Sequence, residues 1–213
     1  VTSFLGLFFS GGVIVGYVVP GILGGKNPLT VALIGAFVIV CVSLFLAHGF
    51  NLRTAVAFVG TSLTLALASG FASAAVGGAK LFGYGSEDAI FLQSSLGSSV
   101  NIQGLFLGGI IIGMIGVLDD VTTGQSAAVD EISKANPALP LGELYRRGIS
   151  IGKEHIASLV NTLVLTYAGA SLPLFLLFTL YKSQPFWVVL NGEIIAEEIA
   201  RTLIGSTALV LAV

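Results

Sequence analysis

Charged side chains are scarce in this chain. Only 9% of its 213 residues are Asp, Glu, Lys or Arg, against roughly 25% in a typical soluble domain. Hydrophobic residues make up 55% of the sequence, and its mean hydropathy is +0.99. So few charges could not cover the surface of a water-soluble domain, and the composition therefore indicates an integral membrane protein.

Other absences in the sequence argue against several classes of function. No basic patch accompanies the net charge of −2, so we expect no nucleic-acid partner. The single cysteine, Cys41, excludes a disulfide framework. The sequence contains no Gly-x-Ser-x-Gly, His-Glu-x-x-His or phosphate-binding loop, and we therefore expect neither an enzyme nor a cofactor.

Long apolar runs predict the fold. A helix needs about 20 apolar residues to cross a bilayer. The sequence predicts an all-α fold, a polytopic transmembrane helical bundle of about six spans whose last span is incomplete. The predicted spans are Phe4–Val19, Pro28–Ala47, Thr54–Val76, Leu105–Leu118 (extended at one or both ends), Ile156–Leu180 and Ile199–Val213. We expect residues 1–213 to form a single transmembrane domain within a longer chain.

The connections between spans differ in character. The long connection between the third and fourth spans predicts a surface helix over residues 86–93, with Ser86 as its N-cap. The largest polar stretch covers residues 121–152 and contains the Arg146-Arg147 pair. We place this segment in the cytoplasm because lysine and arginine favour that side, and Trp187 then faces outside.

A group of ionisable residues interrupts the apolar sequence. Asp119-Asp120 ends the fourth span, and Lys153-Glu154-His155 opens the fifth. Ionisable groups against membrane helices are costly and often mark functional sites. If the fourth helix continues to Ser133, helical spacing predicts a polar stripe that contains Asp119, Thr122, Thr123, Ser126 and Asp130. The fifth span carries a second stripe of Glu154, Ser158 and Asn161, flanked by His155, Thr162 and Thr166.

The sequence does not determine whether these two stripes meet, but where they do they would form a site for a substrate or ion. Carboxylate and hydroxyl oxygens suit hard cations, and paired carboxylates can share protons. The candidate site residues are Asp119, Asp120, Thr123, Glu154, His155, Ser158, Asn161 and Thr162. The residues do not identify a metal. The alternative remains open that Asp119-Asp120 end a span at the water interface while Lys153-Glu154 cap the next.

Three segments carry a family resemblance: 104–130, 148–173 and 190–206. In order and composition they resemble the YibE/F-like family of bacterial multi-pass membrane proteins. The resemblance implies a location in the bacterial inner or plasma membrane and a description as a permease. Asp120 matches the acid that follows the fourth span in the family. Lys153-Glu154 stands where the family typically has Arg-Asp, so the charge pattern is kept with different side chains.

The Tyr-x-Gly-x-Ser-x-Pro run from Tyr167 to Pro173 also resembles the family. Pro173 should free a backbone carbonyl near Gly169 and break or kink the fifth helix. Broken membrane helices often lie beside substrate sites. A kink that serves only packing is the alternative.

Two functions follow as hypotheses. The first is a membrane transporter or permease component, ion- or proton-coupled through the acids of spans four and five. The second is a non-transporting receptor or assembly and docking protein, with Glu143, Arg146 and Arg147 of segment 121–152 as partner contacts. The expected partners are the lipid bilayer, a small solute or ion, and either a second copy or another membrane protein, because small residues recur at helix-packing spacing.

Overall fold

The computed structural model describes residues 2–97, 100–180 and 185–213, and most of these residues lie in helices. Of the described residues 86% are helical and none is in a strand, which confirms the all-α fold. The helices are α1 (Thr2–Val13, continued by a π-helical turn, Ile14–Val18), α2 (Val19–Leu23), α3 (Pro28–His48), α4 (Leu52–Gly78), α5 (Glu87–Leu96), α6 (Ile102–Ala135), α7 (Leu141–Ala170), α8 (Leu172–Leu180), α9 (Phe186–Leu190) and α10 (Glu193–Leu211).

Side chains just before the helices fix several starting points. Asn27 precedes α3 and accepts a hydrogen bond from the Thr30 N–H at 3.2 Å. Ser86 does the same for the Ala89 N–H at 3.1 Å, which confirms the predicted surface helix and its cap. These bonds satisfy backbone donors that the first turn of a helix leaves free.

The first four predicted spans are confirmed as helices long and apolar enough to cross a membrane. Among the described residues these are Phe4–Leu23, Pro28–His48, Leu52–Gly78 and Ile102–Ala135. The total of about six is not confirmed. The predicted span 156–180 is divided at Ser171 between α7 and α8. The predicted span from Ile199 belongs to α10, whose first turns carry Glu193, Glu197, Glu198 and Arg201 and lower its apolar character.

Helix α6 is the centre of the bundle and packs on α3, α4, α7 and α10. Gly104 lies beside Pro28 and Gly108 beside Ala32, so α3 and α6 run parallel. Helix α4 runs antiparallel to α6, and the Thr61 and Thr122 hydroxyls hydrogen-bond between them at 2.6 Å. The α6 side chains Ile110, Ile111, Leu118 and Val121 are almost completely buried in the resulting core.

Helix α6 continues past Leu118 to Ala135, which confirms the predicted extension of the fourth span, and it forms a helical hairpin with α7. The Gln125 amide donates to the Gly148 carbonyl oxygen at 2.9 Å, and Val129 packs against Gly148. We call residues 121–152 the hairpin. On its surface Glu143 pairs with Arg146 at 2.7 Å and Arg147 at 2.8 Å. Hydrogen bonds from Arg146 and then Arg147 hold the pKa of the Glu143 carboxyl below its ordinary value.

The contact of α6 with α3 predicts a specific sensitivity. A Cβ atom on Gly108 would lie 3.1 Å from the Ala32 Cβ, which is fixed by its own backbone. Gly108→Val should therefore destabilise the fold by about 1–3 kcal/mol, the usual cost of overpacking. Gly116→Val is the matched control, because open space surrounds that position. Thermal unfolding in detergent measures both, and equal melting temperatures would contradict this account of the packing.

Candidate functional site

A polar cavity of about 310 Å³ lies where the end of α3, the start of α4 and the middle of α6 meet. We call it the α3–α4 cavity. It contains an imidazole, a guanidinium, a carboxylate and hydroxyl groups. The lining residues are His48, Arg53, Thr54, Ala57, Asp120, Thr123, Gly124 and Ala127.

The turn between α3 and α4 positions two of the ionisable groups. Gly49 has a φ of +75°, a conformation that other residues rarely adopt, and it lets the chain reverse directly after His48. The Asn51 side chain donates to the His48 carbonyl oxygen at 2.8 Å and accepts from the Thr54 N–H at 2.9 Å. Asn51 thus joins the end of α3 to the start of α4, and His48 and Arg53 come to the same cavity.

Helix α6 supplies the acids. Asp120 is exposed to the cavity, whereas Asp119 is half-buried. Adjacent helical residues point about 100° apart, which explains this difference. The Asp119 Oδ1 atom is buried and has no hydrogen-bond partner among the described residues. Its electrostatic neighbours are Asp120 and His48.

Hydroxyl groups of α6 are arranged around the two acids. The Thr123 hydroxyl donates to the Asp119 carbonyl oxygen, and its side chain lines the cavity. Thr122 is buried, donates to the Leu118 carbonyl oxygen at 2.9 Å and bonds Thr61. Thr122 therefore belongs to the contact between α4 and α6, and Thr123 belongs to the cavity.

The polar residues of the predicted fifth span are distributed differently. The His155 Nε2 atom lies 3.9 Å from where a Cβ on Gly124 would be, so His155 lies next to one of the residues that line the cavity. Glu154, Ser158, Asn161 and Thr162 are exposed on the outer face of α7. The structure therefore brings Asp119, Asp120, Thr123 and His155 to one region and leaves the other four candidates outside it.

The helix break lies between Gly169 and Pro173, where α7 ends at Ala170 and α8 begins at Leu172. The Ser171 hydroxyl contacts the Glu198 carboxylate of α10 at 3.5 Å. A largely apolar groove of about 580 Å³ opens beside the break, between α7, α8 and α10. The break therefore borders a groove distinct from the α3–α4 cavity.

At the opposite end of the bundle the acids Glu193 and Glu197 accept hydrogen bonds from backbone N–H groups. The N–H groups of Phe82, Gly83 and Tyr84 donate to Glu193 Oε1 at 2.7, 3.0 and 3.4 Å. The Gly85 N–H donates to Glu197 Oε1 at 2.9 Å. We call this arrangement the carboxylate clasp, since it ties the α4–α5 connection to the start of α10.

Sequence reasoning missed His48 and Arg53 as site residues and the clasp acids Glu193 and Glu197. The first pair could have been found from topology. The short turn 48–53 and the alternating direction of the spans put both residues at the same end as Asp119 and Asp120. No sequence pattern indicates that the clasp would form, because its donors are backbone N–H groups.

Metal binding was left open by the sequence. Within residues 2–97, 100–180 and 185–213, no group of three or more His, Cys, Asp or Glu side chains is arranged to hold a metal ion. The α3–α4 cavity instead combines acids with potential cations. Such a set can exchange protons or hold a small polar or ionic solute.

The clasp predicts a second sensitivity to substitution. A Cβ atom on Gly85 would lie 2.6 Å from Glu197 Oε2, so Gly85→Ala should displace the carboxylate and disrupt the hydrogen bond that it accepts from the Gly85 N–H, at a cost of about 1–3 kcal/mol of stability. Gly78→Ala, where nothing lies within 4 Å of the added atom, is the control. Melting temperatures in detergent compare them, and an unchanged Gly85→Ala protein would show that the contact between Gly85 and Glu197 contributes nothing to stability.

Comparisons with known proteins identify a family. The searches of curated proteins and of solved structures returned no match. The family model described as YibE/F-like protein matches residues 1–213, the whole of this sequence. The resemblance noted in the sequence is thereby confirmed, and the chain belongs to the YibE/F-like family.

Proposed function

We propose that this protein is a component of a membrane transporter or permease and that a proton or small ion is exchanged at the α3–α4 cavity. One observation carries the proposal. A carboxylate oxygen of Asp119 is buried and has no donor among the described residues, and the next residue, Asp120, lines a cavity together with His48 and Arg53. A buried acceptor without a partner costs free energy, so its retention needs a reason other than stability.

The charges of the cavity fit exchange better than permanent pairing. No ion pair within 4.0 Å joins Arg53 or His48 to either aspartate in the described part of the chain. Two adjacent carboxylates repel each other, and a proton or cation relieves this repulsion. An imidazole ring offers two nitrogen atoms for hydrogen bonding, so His48, which lines the cavity, can bind a polar solute or ion there.

The proposal includes a multi-pass arrangement in the bacterial cell membrane. Four helices have the length and composition to cross. Helices α7 with α8 and α10 would complete about six spans, since Leu163 and Gly205 contact each other at the depth of the apolar part of α6. Their polar residues would then be held by protein contacts, as lipid cannot satisfy them.

Proton flux into liposomes containing the purified protein tests the proposal. A potassium gradient with valinomycin drives the flux, and an enclosed pH-sensitive dye reports it. The parent protein should acidify the vesicles faster than protein-free vesicles. Asp119→Asn and Asp120→Asn should each reduce the flux toward the protein-free rate, because each removes a titratable carboxyl group.

Asp130→Asn is the matched control for this experiment. Asp130 lies on the same helix, but it pairs with Lys134 at 2.6 Å on the surface of the hairpin. Its replacement should leave the flux unchanged. A folded Asp119→Asn, Asp120→Asn double variant with the parent's flux would refute the role of the cavity in proton exchange. Flux driven by a solute gradient would then be measured in the same vesicles to test exchange of a small ion.

A docking function has a separate observation in its favour. On the hairpin Leu141 is 83% exposed and Tyr145 71% exposed, one helical turn apart and beside Glu143, Arg146 and Arg147. Exposed apolar side chains ringed by charge are typical of protein-binding surfaces. In this alternative the hairpin recruits a partner and the cavity has no transport role.

Leu141→Ser with Tyr145→Ser separates the two functions. If the hairpin docks a partner, cross-linking in intact membranes should lose a specific adduct in this double variant while proton flux persists. Val59→Ser, at a 62% exposed position of α4, controls for a general loss of apolar surface. An adduct pattern unchanged by the double variant would argue against docking at this position.

A further inference from the structure

Helix α7 carries an exposed stripe that its neighbours leave uncovered. Its residues recur at alternating spacings of three and four, which is the pattern of a helix-pairing seam. The stripe consists of Ile151, Glu154, Ser158, Asn161, Leu165 and Ala168, all exposed except the partly exposed Ala168. The contacts of α7 with α6 and α10 use the other side, where Gly148, Gly152 and Leu163 are buried.

The centre of this stripe lies at the depth of apolar core residues. Leu163 shares a small cavity with Met114 and Leu118 of α6, and the Tyr167 hydroxyl lies 3.7 Å from the Cβ position of Gly113. Asn161, half a turn before Leu163, is therefore level with the apolar segment of α6. In the proposed arrangement, on which this inference rests, α7 crosses the membrane: lipid at this depth then offers no hydrogen bonds, and an unsatisfied polar group there is costly.

Asn161 differs from the threonines beside it. The Thr162 hydroxyl donates to the Ser158 carbonyl oxygen at 3.0 Å, and the Thr166 hydroxyl donates to the Thr162 carbonyl oxygen at 2.8 Å. Both are satisfied by their own helix. Nothing in the described part of the chain bonds the Asn161 amide, which has two N–H donors and one oxygen acceptor.

We propose that two copies of this chain associate through the α7 stripe, with the two α7 helices parallel and the Asn161 amides hydrogen-bonded across a two-fold axis along the membrane normal. Both copies then keep the same orientation in the bilayer, and identical residues meet at the same depth. An amide both donates and accepts, so Asn161 is complementary to Asn161 of the partner subunit. A single asparagine in such a seam selects one register.

The charges at the hairpin end of the stripe fit the same arrangement. Lys153, Glu154 and His155 are consecutive and exposed. In a parallel pair Glu154 lies at the level of Lys153 of the partner subunit and of His155 of the partner subunit. Glu154 also faces Glu154 of the partner subunit across the seam, and the ammonium group of Lys153 in each copy supplies the opposite charge that offsets this repulsion.

Disulfide cross-linking in native membranes tests the proposal. Cys41, the single cysteine, is first replaced by serine. Ser158→Cys and Leu165→Cys should then form intermolecular disulfides under oxidation, since equal positions on the seam approach each other. Val59→Cys, exposed on α4, is the control and should remain monomeric. Cross-linking equal to the control at both seam positions would overturn the proposal.

A second measurement isolates the role of Asn161. Asn161→Leu should fold, because it removes a polar group from an exposed position in the apolar zone. Single-molecule photobleaching in liposomes should give a dimer dissociation constant about tenfold weaker than that of the parent, the loss expected for an interhelical hydrogen bond. Monomers alone in the parent, or an unchanged constant in the variant, would contradict the assignment. Neither result depends on whether the α3–α4 cavity moves protons.

Discussion

The close approach of α6 to α3 is the contact on which the remaining geometry depends. Gly104 and Gly108 allow the backbone of α6 to lie against Pro28 and Ala32. Small residues give membrane helices their closest van der Waals contacts, and no larger side chain fits without moving a helix. With α6 fixed, its buried face orders α4, α7 and α10, and the position of Asp119 and Asp120 relative to the α3–α4 turn is determined.

The two ends of the bundle treat their acids in opposite ways. At one end four backbone N–H groups donate hydrogen bonds to the carboxylates of Glu193 and Glu197. These acids therefore join α10 to the α4–α5 connection. At the other end Asp119 keeps a buried oxygen without a donor among the described residues. Acids that are hydrogen-bonded in this way serve structure, whereas an acid left unbonded is available for exchange. This contrast is the reason for proposing a functional role for the α3–α4 cavity and a structural role for the clasp.

Much of the helical framework could be predicted from the sequence. Between residues 117 and 133 only Gly124 weakens a helix, at a tolerable cost, and α6 indeed continues to Ala135, just before Asn136-Pro137. Ser86, as an N-cap residue, correctly predicted the start of α5. The number of spans could not be predicted as well. A break at Ser171 divides one apolar run, and several charged residues lie in the first turns of α10. Hydropathy alone does not show how the neighbouring helices accommodate this break and these charges.

The relation between helix faces could not be predicted. Periodicity identified a polar stripe on α7, but it could not tell which side would pack on α6. Gly148 and Gly152 decide this, since their lack of side chains permits a closer approach than the polar side would. Consequently, of the predicted fifth-span candidates, His155 is the one that lies next to Gly124, a residue that lines the cavity.

Helix α6 passes without a break from the apolar core into the hairpin. Its 34 residues correspond to a rod about 51 Å long at 1.5 Å per residue. Asp119 and Asp120 lie near its middle, and the hairpin forms one of its arms. If that arm tilts by a few degrees while Gly104 and Gly108 remain packed against α3, the part of α6 that lines the cavity tilts with it. Load applied outside the apolar layer would in this way reach the acids without any intervening flexible joint.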